Sequence, residues 1–198
     1  MMEAEEIVLK NLSSFCQTLP EHVEKWRLVM QQAEPIVRGI VNRGQQLCLI
    51  HGANIKKMDN FVEAKSDLES EIINGIEEDF IVLMDLFDKV DKANQLVRNS
   101  LIKFENATVN LDWETSPLTI GSATVPSLSR LLEAALDYWN HFQKLSKSIF
   151  TSTKTPEWFD EKTYKDIDRA FSAFHPGARS IQYLLAITQY VNNKNNVS

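Results

Sequence analysis

Apolar residues recur at steps of three and four along most of the chain, a spacing that predicts amphipathic helices. Prolines and short polar segments separate the runs. The segment HGANIKKMDN, residues 51–60, is predicted to be a loop. Leu19-Pro20 is predicted to end the first helix, since proline disfavours helix in the residue before it. A kink or a local break is expected at Pro35 in the second helix. The predicted helices span residues 3–18, 20–49, 66–106, 126–150, 156–174 and 178–192.

The third predicted helix, which begins at the capping-box pair Ser66 and Glu69, carries the most regular apolar pattern. Steps of three and four alternate along it, as in a coiled-coil seam. At 1.5 Å per residue its length would be roughly 60 Å, more than a compact globule would cover. The seam positions are Phe80, Leu83, Phe87, Val90, Asn94, Val97, Leu101 and Phe104.

Together these patterns predict an all-α fold, an elongated antiparallel helical bundle with long coiled-coil-like helices. The fourth predicted helix contributes a broad apolar face that includes Leu132 and Trp139. We expect one helical-bundle domain over residues 1–150. Residues 151–198 are predicted to form a C-terminal helical hairpin, with a frayed tail at NNKNNVS.

Asn94 is the polar exception in the seam. A buried amide without a partner costs about 1–3 kcal/mol, so this residue is unfavourable for stability alone. In coiled coils a single such Asn fixes the register and the number of helices, because only one alignment lets it form hydrogen bonds across the seam. The alternative is that Asn94 lies in a solvated or frayed part of the helix. Either position favours a helix that packs on other helices over a catalytic pocket.

Residues 107–125 form a predicted connection longer than most loops in compact domains. Trp113 lies within it, close to Leu111. One hypothesis is that the indole folds back and closes the end of the bundle. The other is that it anchors a partner protein, since tryptophan is enriched at binding hot spots.

Composition narrows the function classes. Of the 198 residues 43% are hydrophobic and 24% charged, a balance typical of folded soluble proteins. The formal charge of −6 disfavours a broad nucleic-acid surface, and no apolar stretch is long enough to span a membrane. The two cysteines, Cys16 and Cys48, fall on apolar helix faces and match no zinc spacing. We expect an intracellular protein with no membrane segment and no direct contact with nucleic acid.

Motifs for catalysis are missing from the sequence. The six glycines are scattered singly, and neither a nucleotide-binding glycine loop nor an H-E-x-x-H motif occurs. Asp137 and His141 lie four residues apart on one helix, a spacing more typical of a surface hydrogen bond than of a metal site. We therefore predict no catalytic residue, no cofactor and no metal, and a protein that is not an enzyme. A helical-bundle enzyme with an unfamiliar site is a minor alternative, which metal analysis would detect.

Several segments, in their order and spacing, resemble a known family. They are VEKWRLVMQQAEPIVRGIVNRGQQL, with Trp26 ahead of Pro35, then DLESEIINGIEEDFIVLMDLFDKVDKANQLVRN, the Ser-Pro-containing loop NATVNLDWETSPLTIGSATVPS, and LSRLLEAALDYWNHFQKLSKSIF. Over about residues 5–150 the chain resembles the AIRIM family, small helical ribosome-maturation factors that interact with an AAA+ ATPase. Residues after 150 match this family poorly.

The resemblance implies an adaptor subunit of an AAA+ ATPase complex in the cytoplasm and nucleus. Its implied partners are the ATPase, a second small helical subunit similar to the cyclin-dependent-kinase-2-interacting protein, and, through the complex, precursors of the large ribosomal subunit. The implied function is release of shuttling factors from cytoplasmic precursors, with a further role in replication-fork proteostasis. The alternative is a structural coiled-coil subunit of a tethering or kinetochore-type assembly. We predict that partners bind at Phe87, Val90, Asn94, Val97, Leu101, Phe104, Trp113, Leu132 and Trp139.

Overall fold

The computed structural model of the chain describes residues 2–54, 59–121, 126–154, 156–174 and 181–187, and the side chains of all of these except Met2, Asp59 and Asn60. Four helices dominate it: α1 (Met2–Gly52), α2 (Asp59–Ala107), α4 (Leu128–Lys154) and α5 (Glu161–Ser172). A single turn, α3 (Pro117–Ile120), lies between α2 and α4, and residues 181–187 form α6. No strand occurs in these ranges, so the predicted all-α class is confirmed.

The predicted break at Leu19-Pro20 is wrong, because α1 continues through Pro20 and Pro35. Proline inside a helix removes one backbone hydrogen bond and costs about 3 kcal/mol. Both prolines are exposed, whereas Leu19 and Trp26 on the opposite side are fully buried. Burial of this face compensates for the local penalty, a tertiary effect that local sequence rules omit.

Other helix boundaries also differ from the predicted ones. Helix α2 begins at Asp59 and not at Ser66, so the capping-box pair lies inside the helix. Helix α5 begins at Glu161 and not at residue 156, since the Asp160 carboxylate accepts a hydrogen bond from the Lys162 amide at 2.9 Å and caps the first turn. The predicted loop at 107–125 is confirmed in its described part, apart from α3 and from Ala107, which is the last residue of α2. The end of α6 and the predicted frayed tail lie outside the described residues.

The chain divides into two compact units, each assembled from separate segments. The first contains α1 up to Arg27, α2 from Asp91, α4 up to Lys144, and α6. The second contains the remaining parts of these three long helices together with α5. The predicted division into residues 1–150 and 151–198 stays a prediction.

In the first unit α1 and α2 run antiparallel. Phe15 stacks on Phe104 with ring centroids 6.1 Å apart, while His22, further along α1, reaches back to Asn94. Apolar side chains from α1, α2, α4 and α6 form one core. Its members include Val8, Leu12, Phe15, Leu19, Trp26, Val97, Leu101, Phe104, Leu131, Tyr138, Phe142, Ile181 and Leu184.

In the second unit α5 packs into the space left by a glycine. Gly44 of α1 faces the ring of Tyr164, so closely that a Cβ atom at this position would overlap with the ring. The Tyr164 hydroxyl donates to the Trp158 carbonyl at 2.7 Å, and Arg43 of α1 pairs with Asp79 of α2. Close approach of α5 to α1 therefore depends on glycine at position 44.

Candidate functional site: the Asn94 network and the surfaces beside it

Most of the seam predicted to bind partners is covered by this chain itself. Val90 and Leu101 are fully buried, as are their seam neighbours Leu83 and Phe104, and Val97 is 1% exposed. Phe87 is half-buried and meets the edge of the Phe171 ring at a centroid distance of 5.4 Å. A partner helix could reach these side chains only if the bundle opened. Partner binding through them stays a prediction.

Asn94 is buried, with 4% of its surface exposed, and it forms hydrogen bonds to α1 of the same chain. Its Oδ1 accepts from Trp26 Nε1 at 3.0 Å and lies 2.9 Å from His22 Nε2. His22 Nδ1 in turn lies 2.8 Å from the Tyr138 hydroxyl of α4. The solvated alternative for Asn94 is thus excluded. The amide links α1, α2 and α4 through a polar network of four side chains.

The donors and acceptors of this network follow from its chemistry. An indole nitrogen can only donate, so the amide atom that faces Trp26 must be oxygen. The same oxygen faces His22 Nε2, which must therefore carry the proton. Nδ1 of His22 is then bare and accepts from the Tyr138 hydroxyl. One tautomer of a neutral His22 satisfies the contacts of both its ring nitrogens, while the Tyr138 hydroxyl also lies 3.5 Å from the Leu19 carbonyl.

Burial and packing reinforce the neutral state. Desolvation lowers the pKa of His22 from its usual 6.5, and the hydrogen bond to Asn94 opposes this shift in part. Burial likewise raises the pKa of the Tyr138 hydroxyl well above its ordinary value. The Phe142 ring covers the network, with its centroid 4.6 Å from that of His22 and 5.3 Å from that of Trp26. The network is buried against the Phe142 ring and joins α1, α2 and α4, so it holds the three helices in one register.

The Asn94 amide nitrogen has no hydrogen-bond partner within the described part of the chain. A buried donor in this state costs about 1–3 kcal/mol. The amide favours one alignment of the helices, since only one axial alignment of α1 against α2 brings Trp26 and His22 to the same oxygen. Its unpaired nitrogen lowers the stability of the fold in return.

Leu111 and Trp113, both in the loop after α2, differ in burial. Leu111 is 6% exposed and closes the end of the core, whereas Trp113 remains 44% exposed, its indole N–H donating to the Thr108 carbonyl at 3.3 Å. The loop is fixed to α1 by the Ser116 hydroxyl, which donates to Glu5 Oε1 at 2.9 Å. Trp113 thus folds back onto the end of α2 while part of its ring stays exposed, so its roles as a plug of the bundle and as an anchor for a partner both stay predictions.

Leu132 and Trp139 are half-buried on one side of α4. The guanidinium carbon of Arg98, from α2, lies 4.4 Å from the centre of the Trp139 ring. Arg98 is not among the residues that the apolar pattern predicts to bind partners. The only signal for it was an arginine directly after the seam residue Val97, which does not show which aromatic ring lies beside it.

Over the ranges that the structure describes, no three His, Cys, Asp or Glu side chains are grouped so that they could hold a metal ion. Within the same ranges no helix is both long and apolar enough to cross a membrane.

Comparison with known proteins adds a family. One family, described as "Ribosome biogenesis protein C1orf109-like", has a model that matches residues 6–168 of this chain. A comparison with the curated proteins finds no match. The resemblance to the AIRIM family is confirmed, since AIRIM is the C1orf109 protein. The expected limit at about residue 150 is wrong, because the match continues into α5.

Proposed function

We propose, because this chain belongs to the C1orf109-like family of ribosome biogenesis proteins, that it is a non-catalytic adaptor subunit of an AAA+ ATPase complex. The observation that carries the proposal is the family match, which covers α1, α2 and α4 almost completely. The match gives no support to the alternative of a tethering or kinetochore-type subunit.

The proposed complex contains the ATPase, this chain and a second small helical subunit similar to the cyclin-dependent-kinase-2-interacting protein. It acts on cytoplasmic precursors of the large ribosomal subunit, from which the ATPase releases shuttling factors. A second role at replication forks places part of the protein in the nucleus. The chain touches neither membrane nor nucleic acid in this proposal, and the ribosomal precursor is reached through the complex.

Physical chemistry supports an adaptor over a catalyst. The side chains of Asn94, His22, Trp26 and Tyr138 form hydrogen bonds to one another inside the first unit, and the Phe142 ring packs on His22 and Trp26. The polar atoms of Asn94, His22 and Tyr138 align the helices and present no reactive group to a substrate. The partially exposed aromatic residues Trp113 and Trp139 are of the type that dominates binding energy at protein interfaces.

Purification of the tagged full-length chain tests the proposal. We expect the AAA+ ATPase and the helical companion to be recovered together with it. Depletion of the chain should leave shuttling factors bound to cytoplasmic large-subunit precursors, measured by gradient fractionation and immunoblotting. Recovery of neither protein, combined with normal release of shuttling factors, would refute the adaptor function.

Trp113 provides a site-specific arm of this test. Trp113→Ala removes an aromatic side chain that is 44% exposed. Val109→Ala, in the same segment, removes an aliphatic side chain that is 74% exposed. If the loop anchors a partner, the first variant lowers recovery of the complex and the second does not. Equal recovery with both would remove Trp113 from the interface and leave the adaptor function in place.

A further inference from the structure

Two rows of side chains meet on the surface of the first unit. Arg98 and Ile102 are one turn apart on α2, and Leu132, Leu136 and Trp139 follow one another at steps of four and three on α4. The Arg98 guanidinium, 4.4 Å from the centre of the Trp139 ring, joins the two rows. We call these five residues the Arg98–Trp139 face.

The Arg98–Trp139 face is open in the described part of the chain. Leu136 is 41% exposed and Ile102 is 37% exposed, while Arg98, Leu132 and Trp139 are half-buried. Helix α6 does not cover it, because Tyr183 faces a different side of α4. There Tyr183 lines a shallow pocket with Arg130, Glu133, Ala134 and Asp137.

Arg98 is the one charged residue of this face. Among the described residues it takes part in no ion pair, and its Nη1 is buried without a hydrogen-bond acceptor. One side of the guanidinium is covered by the indole ring. Gln95 and Gln143 border the face at one end of the row on each helix, and Glu105 lies one turn beyond Ile102 on α2. The Arg98 guanidinium, with no ion pair among the described residues, is therefore held on a largely apolar surface.

We propose that the Arg98–Trp139 face binds an amphipathic helix of a partner protein that carries a carboxylate side chain opposite Arg98. The apolar row of that helix would cover Ile102, Leu136 and Trp139. Its carboxylate would bind the guanidinium, which the indole holds in place and shields from water. Arginine and tryptophan are among the residues most enriched at interface hot spots.

This inference rests on the proposed function, in which the partner is the helical companion subunit. The purified companion is therefore the probe, and its affinity for the full-length chain is measured by calorimetry. The test variants are Arg98→Glu and Leu136→Lys. The matched control is Leu96→Lys, because Leu96 is 63% exposed but lies on another side of α2. Melting temperatures of all variants show that each is folded.

We expect Arg98→Glu and Leu136→Lys each to weaken binding roughly tenfold or more, and Leu96→Lys to leave it unchanged. In nitrogen-15 spectra the indole signal of Trp139, assigned with Trp139→Phe, should shift when the companion binds. Trp158, in the second unit, provides the reference signal. Higher salt should weaken binding of the wild-type chain more than that of Arg98→Ala.

Four outcomes would overturn the inference. If all variants bind like the wild type, the face is not the interface, although the adaptor function stands. If the wild-type chain does not bind the companion at all, the proposed function fails as well. If the wild type sediments as a dimer that Leu136→Lys dissociates, or if deletion of residues 188–198 alone shifts the Trp139 signal, the face is occupied by this chain and not by a partner.

Discussion

The indole N–H of Trp26 donates to Asn94 Oδ1 at 3.0 Å, joining α1 to α2 inside the core of the first unit. The same oxygen accepts from His22 Nε2 at 2.9 Å. Both donors are buried, so this single acceptor holds two polar groups that water cannot reach. Asn94 is therefore in the seam because α1 presents two N–H groups to it.

Replacement of Asn94 by leucine should destabilise the fold although it makes the seam uniformly apolar. Asn94→Leu leaves the N–H groups of Trp26 and His22 without an acceptor, at about 1–3 kcal/mol each. We expect a lower free energy of unfolding in urea. Asn99→Leu, at an exposed position of the same helix, is the control and should change stability little. If Asn94→Leu is as stable as the wild type, the hydrogen bonds to Asn94 make no net contribution to the free energy of unfolding.

Stability should fall as the pH decreases from about 7.5 to 5.5. Burial lowers the folded-state pKa of His22 below its usual 6.5, and desolvation together with Lys144 lowers that of His141. Below pH 6.5 the unfolded chain therefore binds more protons than the folded chain, so the free energy of unfolding decreases until the folded pKa is reached. The carboxylates whose pKa is lowered, Glu24 and Asp112, titrate below this window.

Urea unfolding at several pH values measures this dependence. His22→Phe should reduce the slope of stability against pH between 5.5 and 7.5, whatever its effect on stability at pH 7.5. The double variant His22→Phe/His141→Gln should reduce it further. A slope that is the same in the wild type and in both variants would contradict the assignment.

Gly44→Ala should destabilise the second unit, because a methyl group there would overlap with the ring of Tyr164. Overpacking of this kind costs about 1–3 kcal/mol and lowers the melting temperature. Gly52→Ala is the matched control, since its Cβ would meet nothing within 4 Å. If the two alanine variants melt together, α5 does not depend on the close approach at Gly44.

The two cysteines should differ in reactivity. Cys16 is buried and its pKa is raised to about 12, so very little thiolate forms at neutral pH. Cys48 is half-buried, and its pKa is raised by burial and by Glu161 and Asp160. We expect slow labelling of Cys48 by a maleimide and labelling of Cys16 only after unfolding, followed by mass spectrometry with Cys48→Ser as control. Modification of Cys16 in the folded chain at the rate of Cys48 would contradict its burial.

The amino-acid pattern was sufficient for the helical class and for the buried side of the seam in α2. Periodicity places Val90, Val97 and Leu101 on one face because side chains three and four residues apart share a side of a helix. It also identified Asn94 as an exception that requires a hydrogen-bond partner. These conclusions depend only on local geometry and on the cost of burying polar groups.

What covers each face was decided by the tertiary structure. Periodicity does not distinguish a helix of the same chain from a helix of a partner, so the seam was assigned to partners although α1 and α4 of this chain bury Asn94. His22 and Tyr138, 116 residues apart in sequence, meet only in the folded bundle. Likewise α1 continues through Pro20, because burial of Leu19 and Trp26 compensates for one lost hydrogen bond. Local sequence rules do not include this burial. Local sequence determines which surfaces must be covered, and long-range packing determines by what.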